Sequence, residues 1–149
     1  MQTARNISIA VSVLRKGHRS GIDPLAGQSP YLVNAGFFYQ YDDKGISASL
    51  LYNRIGKRIE SVGVPMQNQD EDIPDIYEMP RNSLDLTFSK KIGKIVEIKA
   101  GIQDILNSKV EYKQFVKLTD DKGGKSEREQ LIRSYRPGVD INIGVSLRF

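Results

Sequence analysis

The stretch Gly138-Val139-Asp140-Ile141-Asn142-Ile143-Gly144-Val145-Ser146-Leu147-Arg148-Phe149 decides the fold class. Val139, Ile141, Ile143, Val145, Leu147 and Phe149 occupy every second position, and Asp140, Asn142, Gly144, Ser146 and Arg148 fill the places between. A period of two sorts side chains onto opposite faces of a strand, whereas a period of 3.6 would mix the two sets around a helix. The segment therefore reads as a β-strand with one apolar and one polar face.

The same alternation recurs upstream. Ile7, Ile9, Val11 and Val13 alternate with Asn6, Ser8, Ala10 and Ser12. Tyr31, Val33, Ala35, Phe37, Tyr39 and Tyr41 share a face, as do Ile46, Ala48, Leu50 and Tyr52. Leu84, Leu86 and Phe88 form a further set, and Val96, Ile98, Ala100 and Ile102 another. Asp42-Asp43-Lys44-Gly45 and Lys91-Ile92-Gly93-Lys94 are short, glycine-bearing hairpin turns. Between them lie long polar stretches, Arg15 to Pro30, Ser61 to Pro80 and Leu118 to Pro137, expected as loops. The fold class that follows is all-β, an antiparallel up-and-down meander of about six long strands. They are Thr3–Leu14, Tyr31–Tyr41, Ile46–Glu60, Arg81–Lys91, a long strand from Val96 to about Lys117, and Gly138–Phe149. Asp104-Ile105-Leu106-Asn107-Ser108-Lys109 interrupts the fifth. A kink inside one strand is favoured there over a turn, because a turn would spoil the alternation of short and long connections.

Composition narrows the chemistry. The chain has 149 residues, no cysteine and a single histidine, so disulfides, thiolate metal sites and cysteine nucleophiles are excluded. The formal charge of +4 is dispersed, with its densest cluster at Arg15-Lys16 and His18-Arg19. No basic stripe interleaved with aromatics points to nucleic acid. His18 reads as a loop residue. Asp42-Asp43, Asp70-Glu71-Asp72 with Asp75, and Asp120-Asp121 are acidic loops without EF-hand spacing, Asp70–Asp75 being the one to examine for calcium. Lys122-Gly123-Gly124-Lys125-Ser126 ends like a phosphate loop but lacks its glycine spacing. Glu97 and Lys99 read as a charge pair on the polar face. No nucleophile, base and orienting group can be assembled, so no enzyme, cofactor or metal centre is expected.

Alternation alone does not say whether the apolar face meets a core or lipid. Three features favour lipid. Tyr39 and Tyr41 stand before one turn and Phe149 at the terminus, as in an interfacial aromatic girdle. The opposite face is rich in Ser, Asn, Gly, Gln, Lys and Glu. The strands reach about ten residues, the length of a tilted membrane strand, against about five or six in soluble sheets. Short turns on one side and long loops on the other match the periplasmic and extracellular ends of a membrane barrel. About six strands cannot close such a barrel, whose practical minimum is about eight. The membrane reading therefore expects residues 1–149 to be one segment of a larger barrel.

Several segments carry a family likeness: Gly27-Gln28-Ser29-Pro30-Tyr31-Leu32-Val33-Asn34, Leu51-Tyr52-Asn53-Arg54-Ile55-Gly56-Lys57-Arg58-Ile59, and Ile76-Tyr77-Glu78-Met79-Pro80-Arg81-Asn82-Ser83-Leu84-Asp85. Gly101-Ile102-Gln103-Asp104-Ile105-Leu106-Asn107 and Arg136-Pro137-Gly138 leading to Phe149 complete the set. In order and spacing the chain resembles, from about Asn6 onward, the C-terminal barrel of TonB-dependent outer-membrane receptors of the Bacteroidota style. The resemblance implies the C-terminal part of a large transmembrane barrel in the cell outer membrane. It implies energy-coupled uptake of a nutrient such as an iron chelate, cobalamin, glycan or peptide. Its partners would be outer-membrane lipid, the barrel assembly machinery and, through parts of the protein outside this chain, the TonB energising complex. It also implies that Val139, Ile141, Ile143, Val145, Leu147 and Phe149 form the terminal-strand signal read during assembly. Two other classes compete. A soluble antiparallel β-barrel or sandwich would place the apolar face inside, around a small apolar ligand. A β-rich adhesin would use Ser61–Pro80 as its binding surface.

Overall fold

A computed structural model describes residues 5–15, 26–64, 73–119 and 125–147. All regular structure among them is β, in ten strands: β1 (Arg5–Arg15), β2 (Tyr31–Tyr41), β3 (Ile46–Ile55), β4 (Arg58–Ser61), β5 (Ile76–Glu78), β6 (Arg81–Ile92), β7 (Val96–Gln103), β8 (Val110–Thr119), β9 (Lys125–Tyr135) and β10 (Asp140–Leu147). They form a six-stranded sheet in the order β1-β2-β3-β6-β7-β10 and a four-stranded sheet in the order β4-β5-β8-β9. Every pairing is antiparallel. Neither sheet closes on itself.

The expectation of about six strands is corrected to ten, and the physical reason lies in four local breaks. β3 continues into β4 across Gly56-Lys57, and β5 into β6 across Met79-Pro80. Ile55 pairs with Arg81 and Arg58 with Glu78, so three steps on one side match three on the other and the register is unbroken. Pro80 has no N–H to give the ladder, which interrupts it at that height. β7 continues into β8 across residues 104–109, where Asp104 and Asn107 hold positive φ angles of 51° and 42°. The ten steps from Ile102 to Tyr112 lie opposite the eight from Leu86 to Glu78. Likewise, the seven steps from Gln103 to Val110 lie opposite the five from Asp140 to Tyr135. Two residues are thus extruded relative to both neighbours, and the segment is a kink within one path, not a turn. The fourth break, Arg136-Pro137-Gly138-Val139, separates β9 from β10, with Gly138 at φ 97°.

Two expected loops prove to contain strands. Ser61–Pro80 includes β5, and Leu118–Pro137 includes β9, which pairs with β8 from Val110↔Tyr135 to Thr119↔Lys125. The turns fall where expected. In the first, the Gly45 N–H donates to the Asp42 carbonyl at 2.9 Å and Gly45 sits at φ 57°. The second, beginning at Gly93 (φ 63°), joins β6 to β7.

The described residues enclose almost no interior. Among the described apolar side chains only Ile59 and Val110 are buried, both near the kinks. By contrast Ile9 is 72% and Ile143 76% exposed. Fully burying a side chain of this size is worth about 1.5–3 kcal/mol, so the large sheet forgoes most of the stabilisation its composition offers in isolation.

Candidate functional site

Cross-strand register places the alternating residues of all six strands of the large sheet into common rows. One row runs Ile9, Phe37, Leu50, Leu86, Ile102 and Ile141, and the next Ile7, Tyr39, Ala48, Phe88, Ala100 and Ile143. These rows make one uninterrupted apolar face. With the flanking rows Val11, Ala35, Tyr52, Leu84 and Arg5, Tyr41, Ile46, Lys90 as its borders, five interstrand spacings of about 4.8 Å and three two-residue steps enclose a projected area on the order of 500 Å². That falls within the range of the largest apolar patch on monomeric soluble proteins, about 300–600 Å², patches that are often functional.

The terminal-strand candidates fall on this face. Ile141, Ile143, Val145 and Leu147 lie opposite Ile102, Ala100, Ile98 and Val96, and all four are exposed, as is Val139 just before β10. Phe149 lies outside the described residues. So do His18, Asp70, Glu71, Asp72, Asp120, Asp121 and the Lys122–Gly124 part of the phosphate-loop-like run. Asp75 is described. Its carboxylate accepts from the Gly63 N–H at 2.7 Å and from the Tyr77 hydroxyl at 3.2 Å. Among the described residues no cluster of three or more acidic or histidine side chains could hold a metal.

The reverse face is polar and internally bonded. The Asn53 amide donates to Asn34 Oδ1, and Asn34 in turn donates to Ser12 Oγ at 3.4 Å. Ser47 bonds Ser89 at 2.8 Å, and Ser49 bonds Thr87. Such cross-strand pairs each add a few tenths of a kcal/mol to about 1 kcal/mol and fix the register. Phe38 and Leu51 form an apolar island on this face over buried Gly36, where a Cβ would come 2.8 Å from the Phe38 ring. Asn142 lies over Gly101 in the same way, with Oδ1 2.7 Å from where a Cβ would be. Beside Gly36 is an open depression of about 370 Å³, lined in part by Ser12, Asn34, Asn53 and Asp85. Glu97 and Lys99 do meet, at 3.5 Å, as neighbours two apart on β7.

The kinks carry a second polar layer. The Asp104 N–H donates to Asp85 Oδ1 at 2.8 Å, and the Gly138 N–H donates to Asn107 Oδ1 at 3.0 Å. Both Asp104 carboxylate oxygens are buried without a hydrogen-bond donor, and Arg81 approaches at 3.7 Å. Beyond the kinks, Arg58 Nε donates to Glu78 Oε2 at 2.8 Å. That bond holds the Arg58 guanidinium above its ordinary pKa. Lys113 is raised too, first by Glu129 at 2.6 Å and then by Glu111 at 3.4 Å. Burial raises the Tyr77 phenol, with the Asp75 carboxylate adding to it. Tyr112 is raised by burial and then by its bond with Tyr135.

Cations and aromatic rings border the apolar face at both ends. At the turn end, Arg5 sits 5.0 Å and Lys44 5.6 Å from the Tyr41 ring centroid. Lys90 shares the row of Arg5, Tyr41 and Ile46, and its ammonium donates to the Lys44 carbonyl. At the kink end, Arg54 donates to Asn82 Oδ1 at 3.3 Å and lies against the Tyr31 and Tyr52 hydroxyls. Farther out Arg133 lies 5.3 Å and 4.7 Å from the Tyr112 and Tyr135 rings, which stack on each other. Residue type alone did not reveal these rims. Strand parity does reveal them, since Arg5, Arg54 and Lys90 fall on positions otherwise held by Ile, Leu and Val.

No protein-family model matches the chain, and neither a curated protein nor a solved structure shows significant similarity to it.

Proposed function

We propose that this chain is wall from the C-terminal part of a large outer-membrane β-barrel, belonging to a TonB-dependent receptor that drives energy-coupled nutrient uptake. The observation that carries the reading is the uncovered apolar face with a hydrogen-bonded polar face behind it. Lipid would cover the first and a wet lumen the second. The dimensions agree. Tyr31 and Tyr41, at opposite ends of β2 on the apolar face, are ten steps apart, about 34 Å along the strand and about 26 Å in height at a tilt of about 40°. A membrane barrel's apolar band is about 25 Å tall between its aromatic girdles.

The open edges fit the same reading. β1 and β10 each have a single partner in the large sheet, and hydrocarbon does not tolerate unpaired edges. Further strands would close the barrel against them, with β10 and its outward Ile141, Ile143, Val145 and Leu147 as the strand read by the assembly machinery. The turns at Asp42–Gly45 and Gly93 would face the periplasm. The β8–β9 hairpin would stand on the extracellular side, where nutrient is captured. The TonB complex would act through parts of the protein outside this chain.

The test is molar mass and thermal unfolding of the purified chain, in plain buffer and in detergent. The reading expects a need for detergent, or edge-paired oligomers that melt without cooperativity. A monomer with one sharp transition in plain buffer would refute it and make the apolar face the inside of a soluble carrier.

A further inference from the structure

The turn-end rim poses an electrostatic problem. Arg5 and Lys44 lie against the Tyr41 ring, and Lys90 reaches the Lys44 carbonyl, so three cations converge on one edge of the apolar face. The ion pairs of the described residues join Arg58 to Glu78, Arg81 to Asp104, Lys99 to Glu97, and Lys113 to Glu111 and Glu129. None serves Arg5, Lys44 or Lys90. Of the two acidic side chains in the turn, Asp42 is engaged by the Gln40 amide at 2.6 Å on the polar face, and Asp43 enters none of these ion pairs. Like charges gathered without an ion-pair partner repel one another, and an anion that joins them relieves that cost.

We infer that this rim binds the phosphate groups of membrane lipids, with Arg5, Lys44 and Lys90 as the phosphate-contacting residues and Tyr41 at headgroup depth. The inference rests on the membrane reading above. It goes further by naming the lipid chemistry and the residues that select it. The geometry suits an amphiphile. Phosphate would meet the cations while acyl chains run along Ile46, Ala48, Leu50 and Phe88 on the same face. Arginine and lysine divide the task, a planar fork for two phosphate oxygens and point charges for the remainder.

The experiment compares binding of the full chain, diluted from urea, to phosphatidylcholine vesicles and to vesicles containing phosphatidylglycerol, measured by flotation. A basic residue near an anionic surface contributes about fivefold in affinity, so three contribute on the order of a hundredfold. The triple variant Arg5→Gln, Lys44→Gln, Lys90→Gln should lose that preference while still binding phosphatidylcholine vesicles. A control with Lys109→Gln, Arg128→Gln and Arg136→Gln removes the same net charge at and beyond the kinks, away from the rim, and should keep it. Equal loss in both variants would reduce the effect to net charge and overturn the assignment. So would a parent chain that binds both vesicles alike. Absence from both vesicles would fail the membrane reading itself, an outcome distinct from lost lipid preference.

Discussion

An arginine placed at different heights on the apolar face measures what that face touches. Leu50 lies in the row Ile9, Phe37, Leu50, Leu86, Ile102 and Ile141, near mid-height, and Ile46 lies four residues nearer the turn beside Tyr41 and Lys90. Four steps along a strand tilted by about 40° shift the side chain by roughly 10 Å, which under the proposed membrane placement carries it from mid-bilayer to the headgroup boundary. Leu50→Arg should therefore cost about 2–4 kcal/mol in vesicles, a loss of roughly 30- to 900-fold in the folded-to-unfolded ratio, and Ile46→Arg about 0–1 kcal/mol. Ser49→Arg points to the opposite face and should stay within about 0.5 kcal/mol. The assay is guanidinium unfolding of the vesicle-inserted chain, followed by strand circular dichroism. Equal costs at Leu50 and Ile46 would refute the depth argument. A cost at Ser49 matching that at Leu50 would refute the assignment of faces.

Two further outcomes follow from particular contacts. Gly36→Ala brings a Cβ within 2.8 Å of the Phe38 ring and 3.0 Å of Leu51 Cδ2, so it should destabilise by about 1–3 kcal/mol, and adding Phe38→Ala should restore part of that loss in a double-mutant cycle. Raised folded-state pKa values of Tyr77, Tyr112 and Lys113 mean that the unfolded chain deprotonates first as pH rises. The region beyond the kinks should be fully stable below pH 10 and lose stability above it, seen as tyrosinate absorbance rising together with loss of strand signal; phenols that titrate at their ordinary value without unfolding would contradict this.

The large sheet was legible because its two faces differ. Wherever one side is apolar and the other polar, alternation shows directly in residue type, and β2 matches its expected bounds, Tyr31–Tyr41, at both ends. β9 was missed because its first six residues, Lys125–Gln130, are polar on both faces and the apolar Leu131-Ile132 that follow are adjacent instead of alternating. Glu127, Arg128, Glu129 and Gln130 alternate in charge and reach instead of hydropathy, and Glu129 faces the same way as Lys113 while Arg128 faces the other. β5 is three residues between Pro74 and Pro80, too short to show a period. The kink at residues 104–109 was readable as a break, but its extruded pair of residues is visible only in the pairing on both sides. The rims were obscured because a single Arg or Lys on an apolar parity looks like a lapse in the pattern until its neighbours across the sheet are known.

Where the chain tolerates a slip in register also marks where its surroundings change. A one-residue bulge sends every following side chain to the opposite face, whereas a two-residue extrusion leaves the faces as they were. The five pairings of the large sheet run without any shift. The kinks between the sheets either keep register, as at Gly56-Lys57 opposite Met79-Pro80, or extrude two residues, as between Gln103 and Val110. Among the described residues single-residue slips occur only beyond them, at Glu60 between Ile59 and Ser61, and at Ile132 opposite the Tyr112–Lys113 step. A face that must stay apolar forbids an odd insertion, because one would turn Ile, Leu and Val inward and Ser, Asn and Lys outward along the rest of the strand. Past the kinks apolar and polar side chains are mixed on each face, Lys113 with Phe115 on one and Gln114 with Val116 on the other, and an odd insertion costs little more than one unpaired residue. The kink layer thus coincides with the height at which the strict separation of apolar and polar faces along the strands ends.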